Sequence, residues 1–170
     1  MDAWLAIASR REVREYEARP LPDDVRHRIL DAGRLAGSAQ NRQPWRFVVL
    51  EDDELRAEVA EAVYEPDNVR GAAFVVALVV QGKGPVAFDA GRAAQNMLLT
   101  AWNEGVGGSP NGAADPERLS EALGLEEGHR VAIVLSFGYP ARPRDPASRP
   151  AEEWSRRAGR KPLDELVERR

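Results

Sequence analysis

Cysteine is absent from the 170 residues, which excludes disulfide frameworks, thiolate metal sites and a cysteine nucleophile. The two histidines, His27 and His129, are too few for a histidine-rich metal site. Each reads as an ordinary surface histidine: His27 lies between Arg26 and Arg28, and His129 precedes an apolar run. The longest apolar stretch, residues 72–80, is far too short to span a bilayer. Met1-Asp2-Ala3-Trp4 places an acid where a signal peptide needs bases, so the expected location is the cytoplasm. The sequence contains no G-x-S-x-G nucleophile elbow and no Walker loop. Carboxylate pairs such as Asp52-Asp53 and Glu152-Glu153 read as helix caps or solvated faces. No side chain stands out as an acid-base catalyst, so an enzyme with this sequence would rely on a bound cofactor.

What is present fits a soluble globular chain, with 43% hydrophobic and 31% charged residues. A chain of this length buries roughly two-thirds of its unfolded surface. Lys83 and Lys161 are the only lysines among 24 basic residues. The formal charge of −4 speaks against nucleic acid as a partner. Charge is unevenly placed: residues 1–14 carry +1, residues 15–140 carry −8 and residues 141–170 carry +3. Basic ends that met in space could hold a small anion such as a phosphate.

Hydrophobic periodicity predicts helices over residues 2–9, 24–36, 53–63, 86–104 and 116–123, and strands over 46–50, 74–80 and 131–137. Asp23 is expected to cap the second helix, and Asp52-Asp53 the third. Glu65-Pro66-Asp67-Asn68 and the glycine-rich stretch from Gly105 to Asn111 read as loops. The 86–104 helix is apolar nearly all round, which suits a core or an oligomer interface. Its small residues Ala90, Gly91, Ala93 and Ala94 would admit a close neighbour. Beyond Pro140 the chain is proline-rich and too poor in apolar residues to form a core alone. Strands separated by helices indicate an α+β or α/β domain, and the order leaves parallel and antiparallel pairing open.

Three segments could carry chemistry. Ser9-Arg10-Arg11-Glu12-Val13-Arg14 follows a predicted helix, where arginines also suit the helix dipole. Gly37-Ser38-Ala39-Gln40-Asn41-Arg42-Gln43-Pro44-Trp45 offers small residues to a flat ligand, and Asn41 adds a donor and an acceptor. Gly105-Val106-Gly107-Gly108-Ser109-Pro110-Asn111-Gly112 could turn backbone N–H groups toward a ligand.

In this order, and with residues 89–99 (DAGRAAQNMLL), Gly138-Tyr139-Pro140 and Arg160-Lys161-Pro162-Leu163-Asp164-Glu165, these segments resemble the flavin-dependent nitroreductase family over almost the whole chain. The resemblance implies a single α+β domain over residues 1–170, with a mixed sheet sandwiched by helices, in an intertwined homodimer. Residues 141–170 would pack on the partner subunit. FMN would lie at the interface and NAD(P)H would serve as a transient reductant. The acceptor would be a nitroaromatic, a quinone or a related small molecule, with neither nucleic acid nor membrane as a partner. Arg10, Arg11, Arg14 and Arg160 would hold the FMN phosphate and the polar edge of the flavin. From the other subunit, Ser38, Ala39 and Asn41 would line the ring. Pro110, Asn111 and Gly112 would lie against its far side, and Asn68 would reach the pyrimidine edge.

The sequence departs from the family pattern at Glu12, where a serine is common, at Gly37-Ser38-Ala39, which lacks one hydroxyl, and at Ser109-Pro110-Asn111. These departures keep three alternatives in view. One is a flavin-binding protein without catalysis, another a deazaflavin-using or dehalogenase-like variant, and the third an α+β dimer without a cofactor.

Overall fold

A computed structural model describes all 170 residues, and its chain contacts divide into two compact units. One comprises residues 12–143, and the other residues 1–11 together with 144–170.

The larger unit is built on a four-stranded sheet: β1 (Trp45–Val49), β2 (Phe74–Gln81), β3 (Gly107–Asn111) and β4 (His129–Gly138). The strand order is β1-β2-β4-β3, and every neighbouring pair is antiparallel. A single parallel bridge, Glu12 to Gly108, adds to the outer edge of β3. Direct antiparallel pairing of β1 with β2 resolves the alternative that the sequence left open.

Helices cover both faces of this sheet. Alternation along β2 sends Phe74, Val76 and Leu78 to one face and Val75 and Ala77 to the other. The first set packs under α2 (Asp23–Arg34) and α5 (Val86–Asn103) through Val25, Ile29, Ala93, Ala94, Met97 and Leu98. The second packs under α3 (Asp53–Ala60), α4 (Pro66–Arg70) and α6 (Pro116–Ala122) through Val59, Val69 and Leu119. Burial on both faces explains why β2 reads as an unbroken apolar run. The α+β expectation holds.

Three local expectations need correction. The α2 helix already includes Asp23, with Pro22 at the N-cap; Asp23 and Asp24 therefore sit in its first turn, where they favour the helix dipole. The 65–68 loop contains the start of α4, with Pro66 at its first position, where the missing N–H costs nothing. The glycine-rich stretch contains β3. Here tertiary packing overrides propensity: a Cβ on Gly107 would stand 2.5 Å from Val13 Cγ2, and one on Gly138, the residue paired with Gly107, 2.7 Å from Tyr16 Cδ1. Only glycine lets the 13–16 segment cross that end of the sheet so closely. Of the two places expected for the 86–104 helix, the core takes its small residues Ala90, Ala93 and Ala94, while Gly91 and Phe88 face outward.

In the smaller unit, α1 (Ala3–Ser9) packs on α7 (Ala151–Arg156). Leu5, Ala8, Ala151 and Trp154 form its small apolar cluster. The Trp154 indole N–H donates to the Pro146 carbonyl at 2.9 Å. A tail without a core of its own thus finds one on the first helix of the chain.

Candidate functional site

The arginines of the smaller unit converge on Arg11. Its guanidinium donates to the carbonyls of Ala8 and Arg10, both at 2.8 Å, and to that of Trp154 at 3.0 Å. It also lies 5.5 Å from the centre of the Trp154 ring. Burial holds the Arg11 pKa below the usual arginine value, and the charges of Arg144, Arg160 and Arg10 lower it further. Neither Arg144 nor Arg160 has an ion-pair partner. Concentrated positive charge of this kind suits a phosphate dianion, which guanidinium groups can bind bidentately. Sequence reasoning singled out Arg10, Arg11 and Arg160 and missed Arg144. The excess positive charge of the tail was the available signal.

The second group of site residues lies on the 38–43 loop of the larger unit. Gln40, Asn41 and Gln43 all have left-handed backbone angles, with φ of 53°, 54° and 50°. Such angles are uncommon outside glycine and concentrate at functional sites. Two side chains hold the loop in this shape. The Ser38 hydroxyl accepts the Gln43 N–H at 2.8 Å, and the Asp89 carboxylate, only 3% exposed on α5, accepts the Ala39 N–H at 3.1 Å. Asp89 was recognised only as part of a sequence motif; its role depends on α5 lying beneath the loop. Ser38 and Ala39 are half-buried and Asn41 is exposed. A recess of about 320 Å³ opens beside the loop, lined by Ala39, Arg42, Gln43, Pro44, Lys83 and Asp89 among others.

The third group sits where β3 meets α4. Asn68 and Asn111 are 4% and 2% exposed, and the Asn68 amide donates to Asn111 Oδ1 at 2.9 Å. Asn111 in turn donates to the Ser136 hydroxyl at 2.9 Å and to the Val134 carbonyl at 3.1 Å. The side chains of both asparagines are thus engaged with the protein interior. Next to them on β3, the buried Ser109 hydroxyl has no hydrogen-bond partner. Pro110 is exposed and Gly112 half-buried beside Tyr64. Arg14 is exposed, and so is Glu12, the acid that breaks the arginine series.

The smaller unit thus carries an arginine cluster suited to phosphate, and the larger unit a loop of small residues suited to a flat ring, features of a cofactor-binding α+β protein. The Nitroreductase family model matches residues 7–88 and 85–139, and the chain belongs to the nitroreductase family. An Archaeoglobus fulgidus protein, whose name pairs NADH dehydrogenase with NAD(P)H nitroreductase, is 35% identical over 149 residues; the match covers 82% of this chain and 86% of that protein. Among solved structures, a Desulfovibrio desulfuricans protein in complex with FMN is 28% identical, with a TM-score of 0.82 and coverage of 100% of this chain and 98% of the other. The NADPH:FMN oxidoreductase of Vibrio harveyi, solved with NAD+, is 26% identical, also with a TM-score of 0.82; coverage is 96% of this chain and 75% of that chain.

Proposed function

We propose that the protein is an FMN-dependent oxidoreductase that takes electrons from NAD(P)H and passes them to a nitroaromatic, quinone or related small acceptor. The observation that carries this reading is the crowding of Arg10, Arg144 and Arg160 around Arg11, a charge cluster that calls for an anion such as the FMN phosphate. Arg11 is already committed to three backbone carbonyls, so its part is to fix the end of α1 and supply field. Arg10 and Arg160 would contact the phosphate directly, with Arg14 at the polar edge of the flavin. Ser38, Ala39 and Asn41 of a partner subunit would line the ring. Pro110, Asn111 and Gly112 would face it through the backbone, because the Asn111 side chain is spent on Ser136 and Val134. Asn68 retains a second N–H and its Oδ1 for the pyrimidine edge. FMN held by these residues would supply the two-electron redox chemistry.

A homodimer belongs to the same reading. Trp4 and Ile7 on α1, Phe88 on α5, and Leu163, Leu166 and Val167 near the C-terminus are all at least 48% exposed. Large apolar side chains left open on this scale mark association surfaces. No helix is long and apolar enough to cross a membrane.

The test is the visible spectrum of the purified protein, with mass spectrometry of any released chromophore. A yellow protein that releases FMN and is bleached by NADH or NADPH supports the proposal. A colourless protein that refuses added FMN overturns it. Arg160→Ala should weaken FMN retention about tenfold through loss of a charge-assisted contact. Unchanged affinity would remove Arg160 from the phosphate site.

A further inference from the structure

The recess beside the 38–43 loop contains two cations that the flavin reading does not use. Arg42 lies on the loop, and Lys83 lies on the turn that joins β2 to α5. Neither has a carboxylate partner; Arg42 donates to the Gln40 side chain alone. The turn is held against the loop, because the Gln81 N–H donates to the Pro44 carbonyl at 3.1 Å. Gly82 and Gly84, with φ of 91° and 95°, flank Lys83 and give the turn its left-handed course. One carboxylate lines the recess, that of Asp89, and it is buried and engaged with the Ala39 N–H. The recess therefore carries net positive charge within a segment, residues 15–140, whose net charge is −8. Its volume of about 320 Å³ exceeds the need of an oxyanion and leaves room for the ring or ribose that bears one. The Ser38 and Asp89 hydrogen bonds hold the loop backbone that carries Arg42 in one shape, and the Gln40 side chain accepts from Arg42.

We propose that this recess is an anion subsite, in which Arg42 and Lys83 receive an oxyanion carried by one of the reactants. The inference rests on the oxidoreductase reading and deepens it, because it names the feature by which a reactant is selected. The charge distribution suits a planar fork and a point charge acting on one group: Arg42 can bind two oxygens side by side, and Lys83 lines the same recess. Two reactants carry such a group. NADPH differs from NADH by its 2′-phosphate, and a carboxylated nitroaromatic differs from its neutral parent by its carboxylate.

The experiment uses FMN-loaded protein and the variants Arg42→Gln, Lys83→Gln and the double substitution, with Arg42→Lys and Lys83→Arg as charge-retaining controls. Two ratios of kcat/KM are read: NADPH over NADH, and 4-nitrobenzoate over nitrobenzene. Calorimetric affinities for 2′,5′-ADP and for 4-nitrobenzoate are measured alongside. In the double variant one ratio, and the affinity for the matching anion, should fall about tenfold, with the loss shrinking as salt is raised and largely restored in the controls. A fall in the NADPH ratio and in 2′,5′-ADP affinity assigns the site to the nucleotide phosphate. A fall confined to 4-nitrobenzoate assigns it to the acceptor. Ratios and affinities that all stay within about twofold of the parent protein overturn the proposal, as does an equal loss for charged and neutral reactants. Should the parent protein retain no FMN, the oxidoreductase reading fails by itself, and the two calorimetric affinities still decide the subsite.

Discussion

Asp89 shows how one buried side chain can govern the loop above it. Its carboxylate satisfies the Ala39 N–H from beneath, and the loop above bends through three left-handed residues. Asp89→Ala should cost about 1–3 kcal/mol by leaving that N–H without a partner. It should also loosen FMN retention, and Asp89→Asn should recover part of both, since its amide oxygen can still accept. Urea denaturation and flavin titration read the two effects; an alanine variant that melts and binds like the parent would remove Asp89 from this role. Tyr16 poses a different residue-scale question. Its hydroxyl donates to the Val13 carbonyl at 2.6 Å, and burial pushes its pKa well above the ordinary value, with Glu12 adding to the rise and Arg14 opposing it. The folded protein therefore favours the neutral phenol. Its contribution is complete below about pH 10, the unfolded value, and declines as pH rises from there toward the folded value. Tyr16→Phe should lower stability at pH 8 and flatten the decline above pH 10. Parallel pH curves for the two proteins would contradict the assignment.

At the scale of the element, the helix starts are set by ordinary capping. Asp52 accepts the Leu55 N–H at 2.8 Å and Asp115 accepts the Arg118 N–H at 3.0 Å. Asp52→Ala and Asp115→Ala should each cost about 1 kcal/mol in chemical denaturation. The β3 strand depends on the opposite property, an absence of side chain. Gly107→Ala places a methyl group against both the Cβ and Cγ atoms of Val13, where no flexible tip can give way. A loss of about 1–3 kcal/mol is expected from the forced shift of the 13–16 segment. Equal stability of Gly107→Ala and the parent would mean that this crossing is looser than described.

The whole molecule adds association and ligand linkage. The outward face of α5 presents Phe88, 68% exposed, beside a groove of about 420 Å³ that also involves Gly37, Gly91, Arg92 and Gln95. If this face meets a second copy, Phe88→Glu should shift the protein to monomer in sedimentation velocity while its far-ultraviolet spectrum is retained. A variant that still sediments as a dimer would place the interface elsewhere. FMN should stabilise the folded protein by mass action, by about 2.7 kcal/mol at a hundredfold excess over its Kd, and so raise its melting point. Arg160→Ala should reduce that gain at equal FMN concentration.

The core and most elements were legible in the sequence because burial leaves a periodic trace. The apolar run of β2, the stripe Val25, Ile29 and Gly33 on α2, and the Asp115-Pro116 start of α6 each determine their element locally. The order of the arginine, N-x-Q-P-W (residues 41–45) and D-x-G-x-A (residues 89–93) motifs was enough to indicate the family. Other features depended on neighbours distant in sequence. Gly107 and Gly108 look like a loop until Val13 and Leu98 press against them, and the sequence leaves Ala94 to a core or an interface until α5 turns it into the chain's own core. The same holds at the site, where Arg144 joins Arg11, Asp89 reaches Ala39, and Lys83 and Arg42 line one recess. Periodicity records which side of an element is buried. Only tertiary structure decides what lies against it, because charge interactions and steric exclusion act over a few ångströms of space, whatever the separation along the chain.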